Sequence, residues 1–87
     1  MAILYLANKQ SDLTTCLRGM QPEDHLVLSG DAVYFLVNNV FLENVSTLQP
    51  DLHARGLDSY LPKHINNIEY SDLVELCVSY TTIVTWS

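Results

Sequence analysis

Two cysteines and three histidines are the side chains of this sequence that could support nucleophilic or metal-assisted chemistry. Cys16 and Cys77 stand far apart, with no Cys-x-x-Cys pair and no cysteine–histidine spacing typical of a zinc site. His25, His53 and His64 fall in separate segments, and no pattern of serine and aspartate defines a triad around any of them. We therefore predict no catalytic residue, no metal site and no cofactor.

Cys16 raises the one specific chemical question. A thiol that carries sulfur as a persulfide must be accessible and must ionise readily, which a nearby cation or a helix N-terminus favours. Arg18 is close in sequence, and Cys16 lies in the first part of a predicted helix. The same position belongs to an apolar stripe with Leu13 and Leu17, and a free cysteine often packs as a small hydrophobe. We favour packing for Cys16, with sulfur carriage as the alternative, and we interpret Cys77 as a packing residue.

The length and composition indicate one small domain with more apolar side chains than its interior can bury. The 87 residues predict a single domain spanning 1–87. Hydrophobic residues make up 48% of the chain and charged residues only 16%. A chain of this size buries roughly 60% of its unfolded surface, so its core is marginal unless other chains cover more of it. We therefore expect self-association when the chain is isolated.

The net charge of −6 argues against direct contact with nucleic acid. Ten acidic residues stand against Lys9, Arg18, Arg55 and Lys63, which form no cluster that could neutralise phosphates. No apolar run approaches the roughly 20 residues of a membrane span. The first residues also lack the pattern of a secretory signal. We expect no nucleic-acid binding by this chain alone, no membrane association and a cytoplasmic location.

Strand-like and helix-like segments alternate along the chain, which predicts an α/β domain with a mostly parallel sheet between two helical layers. The apolar stripe of the first helix begins after Ser11 or Asp12, and that of the last helix begins at Ser71 or Asp72. A short helix is predicted over 32–37, with a strand extension as the rival interpretation. A turn is predicted at 38–39, a loop over 57–64, and 40–42 is ambiguous. The predicted strands are 2–7, 25–29, 45–48, 65–69 and 81–86, and the last helix is expected to carry Leu73, Val74, Leu76, Cys77 and Tyr80 along one side.

The segment 48–57 contains a complete strand–helix–turn unit. Pro50 ends the strand and suits the first turn of a helix, because its missing N–H is not needed there. Asp51 places negative charge at the positive end of the helix dipole, and Arg55 is expected in the last turn. Gly56 can adopt the left-handed conformation that ends a helix.

This segment resembles the signature of the TusB/DsrH family, whose members are the smallest subunits of bacterial sulfur-relay complexes. The similarity extends over nearly the whole chain. It includes Ile3-Leu4-Tyr5, Asn8-Lys9, the Asp31-Ala32-Val33-Tyr34 turn, the segment from Ile68 to Val74, and Trp86. Ala32 departs from the family pattern, which usually has glycine there, and this predicts a turn without positive φ at that residue.

The resemblance implies a flavodoxin-like or DsrE-like fold and a place in a hetero-oligomer with TusC-like and TusD-like subunits, two copies of each. In such a complex the principal sulfur-carrying cysteine belongs to the TusD-like subunit. The complex passes persulfide sulfur toward 2-thiolation of the wobble uridine of certain tRNAs. DsrH-type relatives, which carry a cysteine at the position of Cys16, serve dissimilatory sulfur metabolism instead. This chain is expected to be a non-catalytic subunit of the first kind.

Two alternatives remain at this point. The chain could be a DsrH-like subunit, or a stand-alone homo-oligomeric interaction domain with no role in sulfur transfer. Parallel sheets bind ligands at the carboxyl ends of their strands, which directs attention to the loops after Ala7, Ser29 and Leu48. The segment 8–11 has one hydroxyl and no glycine to hold a phosphate, so it does not predict a flavin or phosphate site.

Overall fold

A computed structural model describes residues 2–9, 13–38 and 43–86 of the chain. Ten elements follow one another, with strands and helices alternating as predicted. They are β1 (Ile3–Ala7), α1 (Leu13–Gly19), β2 (His25–Leu28), a long 3₁₀ helix (Gly30–Asn38), β3 (Val45–Leu48), α2 (Gln49–Ala54), a short 3₁₀ helix (Asp58–Tyr60), β4 (Asn66–Ile68), α3 (Tyr70–Ser79) and β5 (Thr82–Trp86).

The five strands form one parallel sheet in the order β4-β3-β2-β1-β5. β1 to β4 are added in one direction, and α3 then returns the chain across the sheet to place β5 beside β1. β5 is an edge strand, as the sequence suggested. The predicted α/β class is therefore confirmed, and the all-parallel sheet flanked by helices is consistent with a flavodoxin-like fold.

Two apolar clusters, one on each face of the sheet, account for the three layers. α1, the long 3₁₀ helix and α2 pack on the first face, and α3 packs on the second. Along β1 the alternation of side chains sends Leu4 to the second cluster and Ala7 to the first. The first cluster contains Ala7, Leu13, Cys16, Leu26, Leu28, Ala32, Val33, Leu36, Val45, Leu52, Leu57 and Ile65. The second contains Leu4, Val27, Leu48 and Ile68, against which Leu6, Leu73, Leu76, Cys77 and Tyr80 pack.

Several predicted boundaries change. The helix expected over 32–37 is a 3₁₀ helix that begins earlier, at Gly30. Gly30 has a φ of +53°, and Ala32 is fully buried without positive φ, as its departure from the family pattern predicted. The predicted starts of α1 at Ser11 or Asp12, part of the turn at 38–39, and the ambiguous segment 40–42 lie outside the described residues.

The last helix begins before the predicted residues. α3 starts at Tyr70, and Asp72 lies inside the first turn, where its carboxylate accepts a hydrogen bond of 3.0 Å from the backbone N–H of Glu69. This contact is one half of a capping box. Asp72 therefore takes part in capping the helix, but it lies in the first turn and not at the predicted start of the helix. Val74 was predicted on the same side of the helix as Leu73, Leu76, Cys77 and Tyr80, yet 61% of it is exposed. Leu73, Leu76 and Cys77 of α3 pack on the second cluster, as does Tyr80, which directly follows the helix.

Candidate functional site

The carboxyl end of the sheet is the first place to look for a site, and the chain's own hydrogen bonds occupy it. The strand order reverses between β1 and β5, so the loop after Ala7 is the one beside the reversal point. The carbonyl oxygen of Ala7 accepts hydrogen bonds from both the backbone N–H and the hydroxyl of Ser29, at 2.8 and 2.9 Å. The end of β1 is thereby fastened to the end of β2.

A second set of contacts fastens the long 3₁₀ helix to α2. The backbone N–H of Gly30 donates to the Asp51 carboxylate at 2.8 Å. The Arg55 guanidinium lies 3.0 Å from Asp31 and also donates to the carbonyl oxygen of Asp51 at 3.1 Å. We call Gly30, Asp31, Asp51 and Arg55 the carboxyl-edge clasp. The Gly30 N–H and the Arg55 guanidinium, which an anionic ligand could use, are thus bound to carboxylate and carbonyl oxygens of the chain itself.

The clasp explains the family signature at 48–57 in physical terms. Asp51 is in the first turn of α2, where its charge favours the helix dipole, and it also reaches Gly30. Arg55 directly follows α2 as its C-cap, so the prediction that it lies in the last turn is wrong by one residue. Gly56 has a φ of +66°, which confirms the predicted left-handed turn. The segment joins two elements of the first helical layer.

Cys16 lies in α1 with only 2% of its surface exposed, among the residues of the first cluster. Burial raises the pKa of the Cys16 thiol, because an apolar environment disfavours the thiolate. Arg18 is exposed and is not a cause of this shift, although its closeness in sequence suggested that it could favour the thiolate. In this conformation the thiol is covered and mostly protonated at neutral pH.

Tyr5 on β1 belongs to the same side of the sheet. Burial raises the pKa of the Tyr5 phenol, and the charge of Asp24, with that of Cys16 once its thiol ionises at high pH, raises it further. The Tyr5 ring meets the Trp86 ring edge to face, with centroids 6.5 Å apart. These two partly buried aromatic side chains pack against the first cluster.

Cys77 lies in α3, partly buried against the second cluster. Cys16 belongs to the first cluster, on the other face of the sheet, so the two thiols are separated by a layer of strands. Both are free. The structure therefore brings together neither a disulfide nor a dithiol centre from these residues.

A groove of about 500 Å³ lies at the amino-terminal ends of β2, β3 and β4, beneath one flank of α3. Its floor carries a hydrogen bond of 2.7 Å between His25 Nε2 and the hydroxyl of Ser46, which is only 2% exposed. Burial lowers the pKa of His25, so the imidazole is neutral at neutral pH and satisfies the buried hydroxyl. The walls are formed by Asn66, Asn67, Ile68, Asp72, Glu75, Leu76 and Ser79.

This groove was not predicted from the sequence. Polar residues begin β2 and β4, and Ser46 is the second residue of β3. These polar residues could have indicated the groove, but only once the strand order was known to place them side by side. The groove carries two carboxylates and no lysine or arginine, so it does not suit a phosphate.

The other histidines do not join His25. His53 lies in α2 and contacts the Asp58 carboxylate at 3.1 Å on an exposed surface, and His64 is exposed in the connection before β4. Within the described ranges, no three His, Cys, Asp or Glu side chains lie close enough to hold a metal ion. The helices in the same ranges are too short or too polar to cross a bilayer.

Asp24 is a structural residue that sequence reasoning missed. It is 2% exposed, and its two carboxylate oxygens accept hydrogen bonds of 2.8 Å from the backbone N–H groups of Ile3 and Gln21. The carboxylate thus fixes the start of β1 to the turn that precedes β2. Since the partners are 21 and 3 residues away, only the local half of this arrangement was visible in the sequence.

Comparison with known proteins gives a consistent result. The model of the DsrH like protein family matches residues 7–83. Protein TusB of Escherichia fergusonii is 34% identical over 84 residues, covering 87% of this chain and 88% of the relative. Protein TusB of Salmonella dublin and protein TusB of Pectobacterium parmentieri are each 31% identical, over 86–87% of this chain and 87–88% of the relatives. The residues that the family model matches include the whole clasp, and the chain belongs to the DsrH-like family.

Proposed function

We propose that this chain is a TusB-like subunit of a sulfur-relay complex that supports 2-thiolation of the tRNA wobble uridine. Membership of the DsrH-like family supports the sulfur-relay role. The relatives named protein TusB, which match over most of both chains, favour the tRNA pathway. A stand-alone interaction domain has less support, because it does not account for this family similarity.

The proposed role is that of a supporting subunit, with the persulfide carried by a partner. The observation that carries this proposal is the burial of Cys16, the only cysteine with a specific claim to sulfur carriage. Its thiol is covered and its pKa is raised, whereas a relay thiol must be accessible and ionise readily. The clasp occupies the edge at which a parallel sheet would ordinarily bind a ligand.

We infer that the partners are TusC-like and TusD-like chains and that the complex acts in the cytoplasm, where tRNA is modified. Exposed apolar side chains support association with other chains. On α3, Tyr70, Val74 and Val78 are 57%, 61% and 81% exposed. Such side chains favour contact with a partner when they adjoin one another.

The first experiment tests the function itself. Deletion of the gene in its host should lower the 2-thiouridine content of tRNA, measured by mass spectrometry of nucleosides. Expression of the wild-type chain should restore it, and Cys16→Ala at equal protein level should restore it equally. Unchanged thiolation after deletion would refute the proposed pathway. If a stable Cys16→Ala chain failed to restore thiolation, the sulfur-carrying role would belong to Cys16.

The second experiment tests the partners. Capture of the tagged chain from its host should recover two DsrE-like chains in equal amounts, identified by mass spectrometry. Asp58→Asn, a change at an exposed pair outside the apolar side of α3, should recover the same two chains. Recovery of neither chain would overturn the proposed complex.

A DsrH-like role in dissimilatory sulfur metabolism is the second candidate, and Cys16 is the observation that favours it. DsrH-type members carry a cysteine at this place, as the resemblance implied. A host with no change in tRNA thiolation but a defect in sulfur oxidation after deletion would favour this candidate.

A further inference from the structure

The groove beneath α3 is the part of the second sheet face that the described elements leave open. Five strands lie about 4.8 Å apart, so a single helix about 10 Å wide cannot cover them all. His25, Ser46 and Asn66 fall on this face, because each stands two residues before a strand residue of the second cluster. α3 covers the cluster itself, and these three polar residues extend the face beside it. The result is a cavity of about 500 Å³, a volume typical of a ligand pocket.

One wall of the groove carries negative charge that the described part of the chain does not neutralise. Asp72 and Glu75 are three residues apart on α3, where such side chains adjoin each other on the helix surface. Asp72 Oδ2 accepts the Glu69 N–H, but no ion pair among the described residues involves either carboxylate. The described lining contains no lysine or arginine. Two like charges at this spacing repel each other, so a cation bound between them would be favourable.

The other lining groups suit a guanidinium on an aliphatic stem. The imidazole of His25 is neutral at neutral pH, because burial lowers its pKa, so the floor adds no positive charge. The side-chain oxygens of Asn66 and Ser79 can accept further N–H donors. Ile68 and Leu76 supply apolar surface for methylene groups. A guanidinium presents its N–H donors in a planar fork that matches carboxylates, whereas an ammonium is a compact point charge.

The shape of the groove favours a side chain carried by another polypeptide. A site for a small molecule encloses most of its ligand, yet here the wall residues Asn66, Asp72 and Glu75 are exposed. A ligand in this groove must therefore bring its own cover, as the protein surface around an arginine side chain would. We infer that the groove binds an arginine side chain of a partner polypeptide, with the guanidinium at Asp72 and Glu75. The inference does not rest on the proposed sulfur-relay function, and either could fail without the other.

Titration of the isotope-labelled full chain by nuclear magnetic resonance tests the site. The probe is a capped tripeptide with arginine between two glycines. At millimolar concentration it should shift the backbone amide signals of Ser46, Asn66 and Glu75. The same peptide with citrulline, which has nearly the same shape and no charge, should bind more weakly by about tenfold or more. Free arginine should bind no more tightly than the peptide, and a lysine peptide should bind more weakly.

Two matched variants locate the charge that the arginine peptide needs. Glu75→Gln removes one carboxylate from an exposed position of α3 and should weaken binding of the peptide by about threefold or more. Asp58→Asn removes an exposed carboxylate outside the groove and should leave the affinity unchanged. The amide spectra should show that both variants remain folded. No shift of the groove signals, equal binding of the citrulline or lysine peptide, equal affinities of the two variants, or tighter binding of free arginine would each overturn the inference.

Discussion

The Asp51 carboxylate accepts the backbone N–H of Gly30 at 2.8 Å and thereby joins the first turn of α2 to the start of the long 3₁₀ helix. These residues are 21 positions apart, and the bond is partly buried. A charged acceptor makes this one of the stronger hydrogen bonds of the fold. Through this contact the segment 48–57, which resembles the family signature, stabilises the fold.

Removal of this carboxylate should destabilise the domain. We expect Asp51→Ala to lower the free energy of unfolding by about 1–3 kcal/mol, because the Gly30 N–H loses its partner and α2 loses a favourable charge. Asp58→Ala is the control: its exposed contact with His53 should contribute at most about 1 kcal/mol. Urea denaturation measures both values. Equal, small effects would show that the clasp does not hold the two elements together.

The two glycines with positive φ should differ in their tolerance of a side chain. Gly56→Val should cost roughly 1 kcal/mol or more, from backbone strain alone, since no atom lies within 4 Å of an added Cβ. Gly30→Ala adds a steric conflict, because its Cβ would lie 3.0 Å from the Asn8 carbonyl oxygen. Gly19→Ala, at a position with open space and no positive φ, is the control and should be neutral or stabilising. Denaturation midpoints in the reverse order would contradict this explanation.

Substitutions of Cys16 separate packing from sulfur carriage. Cys16→Ser should cost roughly 1–3 kcal/mol, because it places a hydroxyl among apolar groups. Cys16→Ala should cost less, since alanine adds no polar group that needs a partner. In the native protein, Cys16 should react slowly with a thiol reagent and Cys77, which is less buried, should react faster. Rapid native-state labelling of Cys16, with sulfur transfer lost in a stable Cys16→Ala variant, would reverse the assignment.

His25 should make stability depend on pH. Burial lowers the pKa of His25 below its ordinary value of 6.5, so the unfolded chain binds this proton more readily than the folded chain. Its contribution to stability is therefore complete above pH 6.5 and declines as the pH falls through the folded-state pKa. His25→Gln should reduce this slope. Urea denaturation of both proteins across this range decides, and identical slopes would exclude His25 as the cause.

The purified chain should not bind tRNA at physiological salt. Arg55 is committed to the clasp, and the net charge of −6 opposes contact with phosphates. Filter retention of labelled tRNA over a range of salt concentrations measures this. Retention that weakens steeply as salt increases would reveal a basic surface and contradict the prediction.

The sequence predicts best where the determinants are local. β3 was predicted with its observed bounds, Val45–Leu48, and the turn at Gly56 was predicted from one segment. In this segment the end of the strand and both ends of the helix depend on neighbouring residues. Distant parts of the chain therefore do not alter them. The alternation of elements was enough to predict the parallel sheet.

Determinants that join distant segments were not predicted. The contact of Asp24 with Ile3 and the pair of His25 with Ser46 each need the strand order before they can be recognised. Val74 was expected on the same side of the helix as the core residues because its residue type is apolar, yet among the described elements only α3 packs on the second face of the sheet, and the side of the helix that carries Val74 stays exposed. Residue type alone does not reveal which side of a helix meets the sheet.

The pairing of β1 with β5 has a consequence for how the chain acquires its structure. Ile3 meets Thr82, so two strands at opposite ends of the described sequence become neighbours. Bringing such distant segments together costs chain entropy before their contacts compensate for it, and folds of this kind form more slowly than folds with local pairing. During synthesis, β1 must wait for its second neighbour until nearly every other element has left the ribosome. Until β5 is made, one edge of β1 has no neighbouring strand. Leu4, which is fully buried in the finished sheet, then has no β5 beside it on the emerging chain.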